Sequence, residues 1–282
     1  MHDLTTLPLE LLEREFARAT VRLPNGSQVS VRERGQRGEG PSVVLLHGIS
    51  SGAASWLHTA LAVGGAHVVA WDAPGYGDST PLAPASPTAE DYAARLHDLL
   101  QALQIRRCVL VGHSLGALMA AAYARGLGAD VVTRLVLISP AGGYGPADKA
   151  ESRAKMRAER QGALQKLGVA GIAQGIDQRL LSPAADEAAR QWVRWNTARL
   201  HPAGYLQAVE LLSNADLGAG GPLAMPVQVH CGDADVVTPP DACAAWARKL
   251  SAPFRLITNA GHASPTEQPA AVARLIARAA QA

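Results

Sequence analysis

Short apolar, β-branched runs recur along the chain at intervals too wide for hairpins: VVLL (43–46), HVVAW (67–71), CVLVG (108–112), RLVLIS (134–139), VQVH (227–230) and FRLIT (254–258). Between them lie segments with helical spacing of apolar positions, near 53–62, 88–104, 115–127, 240–250 and 266–281. A strand that is apolar on both faces must be covered on both, as parallel sheets are. Alternation of such strands with helices predicts an α/β fold with a mostly parallel, doubly wound sheet. The start of the chain departs from this rhythm. ATVRLP and SQVSVRER alternate with the strand period on either side of Pro24-Asn25-Gly26, which predicts an antiparallel hairpin.

The alternation breaks once more between Ser139 and Val227, where no run reads as a strand and Ala, Arg, Gln and Leu dominate. Gly/Pro-rich stretches flank this segment, at Pro140–Pro146 and Gly218–Pro222, as crossings between two bodies require. The expectation is a core of residues 1–142 and 217–282 carrying an inserted helical cap over 143–216. At 282 residues the chain can build one such core with a modest insertion.

Composition narrows the functional classes. Charged residues make up only 18%, the formal net charge is +2, and no long Lys/Arg run concentrates a field, so no nucleic-acid partner is expected. Asp3, Glu10, Glu13 and Glu15 interrupt the leucines of the first 20 residues, which predicts an amphipathic helix rather than a secretory leader. No stretch approaches the length of a membrane span. Cys108, Cys231 and Cys243 are odd in number and lie in apolar surroundings, as buried reduced thiols would, which points to the cytoplasm. No metal-ligand spacing or nucleotide fingerprint appears, so neither metal nor organic cofactor is expected. The oligomeric state is open.

Gly112-His113-Ser114-Leu115-Gly116 follows the strand CVLV and opens the helix LGALMAAAYA. A chain that leaves a strand and enters a helix within two or three residues forces the middle residue into a strained conformation and leaves no room for side chains at the flanking glycines. The Ser114 hydroxyl would then project at the carboxyl edge of the sheet, beside a helix N-terminus that favours developing negative charge. A serine hydroxyl needs a base to become a nucleophile. Of the nine histidines, His262 is best placed, in the loop between the final strand and the last helix. His47 reads as a loop-shaping residue, and His113 lies inside the turn with its ring expected to point away from the hydroxyl. The base needs a carboxylate to fix its tautomer and stabilise its charged form. Asp235, just after VQVH, is the first choice, with Asp233 a close competitor and Asp241 a weaker one. Backbone N–H groups of Ile49, after His47-Gly48, and of Leu115 are expected to bind an oxyanion, each worth about 3–4 kcal/mol in a transition state. Asp72, in WDAPGYGDS, is read as fixing its own loop.

HGIS, DAPGYGDS, GHSLG and the GDADVVTP plus GH pair, in this order, resemble the α/β-hydrolase superfamily over about 20–142 and 222–282. The resemblance implies a serine hydrolase and favours Asp235 as the acid. Serine at the turn sets the chain apart from the haloalkane dehalogenase and epoxide hydrolase branches, which carry aspartate there. Gly261–Pro269 and His201–Tyr205 leading to Asp216-Leu217 resemble 3-oxoadipate enol-lactonases more finely, although His113 and Leu115-Gly116-Ala117 depart from the turn common in that group. Ala263 stands where meta-cleavage C–C hydrolases often carry Trp.

The resulting expectation is hydrolysis of a small carboxylic ester or lactone through an acyl-enzyme on Ser114, with a small molecule as the partner. Two alternatives stay open: a C–C bond hydrolase of the meta-cleavage type, and a slow ligand-binding protein on the same fold. Within the cap, Trp192, Trp195 and Tyr205 are candidates to line an acyl or aromatic pocket. Arg179, Arg190, Arg194 and Arg199 are candidates to meet a substrate carboxylate.

Overall fold

The computed structural model describes residues 7–281. Eight strands form one sheet: β1 (Arg18–Arg22), β2 (Gln28–Arg34), β3 (Ser42–Leu46), β4 (Val68–Trp71), β5 (Cys108–His113), β6 (Val132–Ile138), β7 (Val227–Gly232) and β8 (Phe254–Ile257). Their spatial order is β1-β2-β4-β3-β5-β6-β7-β8. The β1–β2 and β2–β4 pairs are antiparallel and every later pair is parallel. The expected hairpin therefore forms one end of the sheet, and β5 lies near its middle.

The pleat sorts side chains into two layers. Val44, Leu46, Trp71, Leu110, Leu135 and Leu137 face one apolar cluster; Val43, Leu45, Ala70, Val109, Val111 and Val136 face the other. The first cluster is closed by α3 (Ala89–Ala102), α4 (Leu115–Arg125), α8 (Pro202–Asn214) and α9 (Pro240–Lys249). The second is closed by α1 (Leu9–Glu15), α2 (Leu57–Val63) and α11 (Pro269–Gln281). Each Val or Leu withdrawn from water contributes roughly 1.5–3 kcal/mol, so an uncovered face would forfeit a large part of the stabilisation. Residues 1–6, which include part of the expected N-terminal helix, lie outside the described residues.

Proline and capping chemistry set several boundaries. Thr88 and Asp91 form a reciprocal capping box at the start of α3. The helix expected over 266–281 divides into α10 (Ser264–Glu267) and α11, because Pro269 has no N–H to continue the ladder but suits a first helical position. The segment expected near 53–62 begins as a 3-10 turn, Ala53–Trp56, before α2. Strand β6 starts two residues earlier than its apolar run, because Val132 pairs with Cys108 across an irregularity in the β5 register.

Between β6 and β7 the elements are helical: α5 (Ala150–Gly175, broken at Gly168), α6 (Asp177–Leu180), α7 (Glu187–Ala198) and α8, with a short 3-10 turn at Ala147–Lys149. The two ends of this stretch meet. Tyr144 N donates to Leu212 O at 3.0 Å, Gly145 N to Ala215 O at 2.9 Å, and Leu217 N to Gly142 O at 3.0 Å. Asp177, 1% exposed, ties α6 to α7 by accepting Arg194 Nε and Nη2 at 2.7 and 2.8 Å, with Arg190 Nη1 at 3.5 Å. Among the described residues no helix is long and apolar enough to cross a membrane.

Replacing Arg194 with Met leaves the Asp177 carboxylate buried with only its long contact to Arg190. This should destabilise the protein by about 1–3 kcal/mol, read as a lower urea midpoint at unchanged m-value; an unchanged midpoint would show the pair to be dispensable.

Candidate active site

Strand β5 ends at His113 and α4 begins at Leu115, so Ser114 alone makes the turn. Its backbone lies at φ 52°, ψ −115°, a conformation that costs an L-residue of order 1–3 kcal/mol. The turn is held from three sides. Ser114 N donates to Ile138 O at 3.0 Å, and Ser114 O accepts Ala117 N at 3.0 Å and Ala141 N at 3.1 Å. The flanking glycines are a packing requirement: a Cβ on Gly112 would lie 2.7 Å from Ala117 Cα, and one on Gly116 would run into the Leu46 carbonyl of β3.

His262 stands between β8 and α10, buried, with Nδ1 2.9 Å from Asp235 Oδ2. Thr238 Oγ1 lies 3.2 Å from the same ring nitrogen and donates to Asp235 Oδ2 at 3.0 Å. The other carboxylate oxygen accepts Val237 N at 2.8 Å and Thr238 N at 3.0 Å. Burial pushes the Asp235 carboxyl up, but the hydrogen bond and charge of His262, aided by the Thr238 amide, outweigh it and hold the group well below the usual carboxylate range. Asp233 has a different place: it accepts Asn259 N at 3.0 Å and Ala260 N at 3.1 Å, bracing the loop that carries His262. Asp241 lies exposed in the first turn of α9.

Ser114 and His262 line the same cavity, and among the described residues Ser114 Oγ makes no hydrogen bond. Hydrogen bonds between catalytic groups are often long in unliganded proteins and tighten around the substrate. Among the described residues, Ile49, at the cavity wall, has no backbone partner for its N–H, and its carbonyl accepts the Tyr76 hydroxyl at 2.8 Å. Leu115 is the first residue of α4, so its N–H has no partner within the helix. His47 holds this loop: its Nδ1 lies 2.8 Å from Gly48 O, and its Nε2 accepts Ala73 N at 3.0 Å. Asp72 likewise accepts Ala53 N and Ser30 Oγ, both at 2.8 Å, which ties three segments together behind the site.

His113 does not simply turn away from the site. It lines the cavity and its Nε2 donates to the His262 carbonyl at 2.8 Å. Burial, with the nearby His262 adding to it, pushes the His113 imidazole down to about 3, so the ring is neutral and can hold its proton on Nε2.

The three cap aromatics lie away from this cavity. Trp192 and Trp195 stack on each other at 4.8 Å, with Arg199 over Trp195 at 4.6 Å, and Tyr205 packs into the core against the sheet. None of the three lines the cavity. Helical spacing in α7 and α8 does not separate a residue facing the core from one facing a ligand. The aromatic wall is instead Trp56, followed by Ile49, Ile176, Leu180 and Val193. Of the four cap arginines, only Arg179 reaches the cavity, joined by Arg160 on α5, which no periodicity had marked. Arg190 and Arg194 are occupied by Asp177.

A family model described as the alpha/beta hydrolase family matches residues 43–275, and the chain belongs to that family. An uncharacterized protein of Mycobacterium tuberculosis is 40% identical over 108 residues, which is 37% of this chain and 30% of that protein, so the match spans less than a third of that relative's length. The 2-succinyl-6-hydroxy-2,4-cyclohexadiene-1-carboxylate synthase of Enterobacter is 29% identical over 246 residues, covering 84% of this chain and 91% of that one. Among solved structures, the enol-lactonase of Burkholderia xenovorans superposes with a TM-score of 0.79 at 22% identity, over 94% of this chain and 100% of that one. A thermophilic esterase of Thermogutta terrifontis gives 0.78 at 24%, over 93% and 97%. At such identities these two neighbours establish the fold and no more.

Between its ordinary value of 6.5 and about 3, His113 binds fewer protons folded than unfolded. The stability that depends on its neutrality is therefore complete above about pH 6.5 and is lost as pH falls toward 3. His113→Asn keeps a donor without a titrating group and should flatten the stability profile across that window. An unchanged slope in urea melts at stepped pH would contradict the assignment.

Proposed function

We propose that the protein is a serine hydrolase acting on a small carboxylic ester or lactone, with Ser114 as nucleophile, His262 as base and Asp235 as the acid that orients the base. One observation carries the reading: a serine alone on a strained strand-to-helix turn shares a cavity with a buried histidine whose Nδ1 is bonded to a buried carboxylate. His262 takes the Ser114 proton as Oγ attacks the carbonyl. The Ile49 and Leu115 amides receive the oxyanion, and the leaving alkoxide departs with the proton from His262. Water, deprotonated by His262, then attacks the acyl-enzyme; the Ser114 Oγ–acyl bond breaks, His262 returns the proton to Oγ, and the acid is released.

In this reading residues 143–216 act as a cap over a core of 1–142 and 217–282, and the cavity lies between them. Its volume of about 60 Å³ holds roughly four to six waters at about 10–15 Å³ each, which suits a small acyl group. Arg160 and Arg179 line it without any Asp or Glu beside them, a wall that favours a substrate bearing a carboxylate. Three buried, unpaired thiols fit a reducing compartment such as the cytoplasm.

Ser114→Ala should lower kcat/KM on p-nitrophenyl acetate by at least about 10³-fold and abolish fluorophosphonate labelling; Asp235→Asn should cost about 10⁴-fold in kcat. Full activity in Ser114→Ala sinks the reading. A wild type that neither releases a burst nor accepts the label favours a ligand-binding protein, and selective turnover of a vinylogous diketone favours the C–C hydrolase. Arg160→Gln with Arg179→Gln should raise KM for p-nitrophenyl hemisuccinate about tenfold or more, near 1.4 kcal/mol, and leave p-nitrophenyl butyrate within about twofold. Equal effects on both esters would remove the carboxylate from the substrate.

A further inference from the structure

Three hydrogen bonds fix the backbone on both sides of His262, and one of them crosses directly to the helical segment between β6 and β7. Ala263 N donates to Leu180 O at 2.7 Å. Gly261 N donates to Glu267 Oε2 at 2.8 Å. The carbonyl of His262 itself accepts His113 Nε2. Glu267 completes the crossing: Ser182 N donates to its two carboxylate oxygens at 3.2 and 3.1 Å, and Ser182 Oγ donates to Oε1. The approach is close as well as bonded, for a Cβ on Gly261 would lie 2.6 Å from both Leu181 C and Ser182 N.

We infer that Glu267 is a positioning residue that locks residues 180–182 to the His262 loop, so that the cavity wall and the catalytic base move as one body. The inference rests on the proposed role of His262. Its chemistry is specific. All three groups that face the carboxylate, Ser182 N–H, Ser182 Oγ–H and Gly261 N–H, are donors, so both oxygens must accept. A glutamine of the same shape would turn an NH₂ toward one of those donors, leaving two donors opposed in a half-buried place. The same stretch that Glu267 secures supplies Ile176, Arg179 and Leu180 to the cavity. A substrate that presses on this wall therefore bears on the support of His262. Occupancy and base alignment are coupled through one carboxylate that never touches the substrate.

The test uses the full chain with p-nitrophenyl acetate and a fluorophosphonate, with rates normalised to the folded fraction from circular dichroism. Glu267→Gln should lower kcat and the labelling rate of Ser114 by about 10–100-fold with KM within twofold. The downfield His262 Nδ1 proton, bonded to Asp235, should shift or broaden in the proton NMR spectrum. Ser182→Ala, which removes one donor and keeps two, should show the same pattern at a few-fold, and it decides the matter if Glu267→Gln does not fold. Loss of stability with unchanged kcat and an unmoved proton resonance would make Glu267 a purely structural brace and overturn the inference. A wild type that reacts with neither probe overturns the hydrolase reading, and this inference with it.

Discussion

The direct passage from β5 into α4 at Ser114 is the constraint on which the site depends. A residue at φ 52°, ψ −115° does not persist unless its surroundings over-determine it. Here that work falls to parts of the chain far apart in sequence: the Ile138 carbonyl at the end of β6, the Ala141 amide beyond it, and the carbonyl edge of β3 against Gly116. Each is a strand end at the same edge of the sheet. The strain can be borne only because three neighbouring parallel strands stop at a common level, which the register of β3, β5 and β6 enforces. The same edge then brings the Ile49 loop and the β7 and β8 loops around the serine. Fold and site are thus consequences of one alignment.

Around that point the polar groups divide into those facing the cavity and those holding them still. His47, Asp72 and Asp233 belong to the second kind and His113, at the cavity wall, to both, and each bonds backbone amides or carbonyls of the loops. Histidines serve here as neutral scaffolding. Burial strips His113 of its charge, and burial also pushes His47 below its ordinary value. A cation beside the His262–Asp235 pair would oppose charge on the imidazole that the proposed mechanism must form and dissipate. Keeping the neighbouring rings neutral leaves Asp235 to dominate the field at His262.

The strand cores, the hairpin, the helical break and the serine turn were legible because each is a local signal: β-branched runs, a Pro-Asn-Gly turn, glycines two residues either side of a serine. Asp235 and Asp233 could not be separated by spacing alone, since both follow the same strand. Their difference is one of direction, one carboxylate turned to the imidazole and the other to the backbone of 259–260. The role of the cap aromatics is open in the sequence for a related reason. In α7 and α8 the apolar stripe that packs on the core and a stripe that would face a ligand have identical periodicity, so Trp192 and Tyr205 read alike under either role. Trp56 lies in a 3-10 turn at the start of a segment with helical spacing, and that spacing does not mark it as facing a cavity.

What the sequence hides most completely is how the helical segment communicates with the rest. Its two ends are sewn together at 142–145 and 212–217, which fixes where it leaves the sheet; these bonds alone do not hold its far side. That far side is α6 and the residues after it, and it is there that Leu180 and Ser182 are bonded to the loop of His262. A segment anchored both at its hinge and at the proposed base has little freedom to open without disturbing the imidazole. Substrate entry on the proposed reading therefore requires either passage past Arg179, the exposed residue of the cavity wall, or transient release of the bonds beside His262. The first route keeps the base aligned throughout and the second makes alignment a consequence of closure. The charge-assisted bonds to Glu267 weigh toward the first, because opening there would give up several hydrogen bonds to one carboxylate at once.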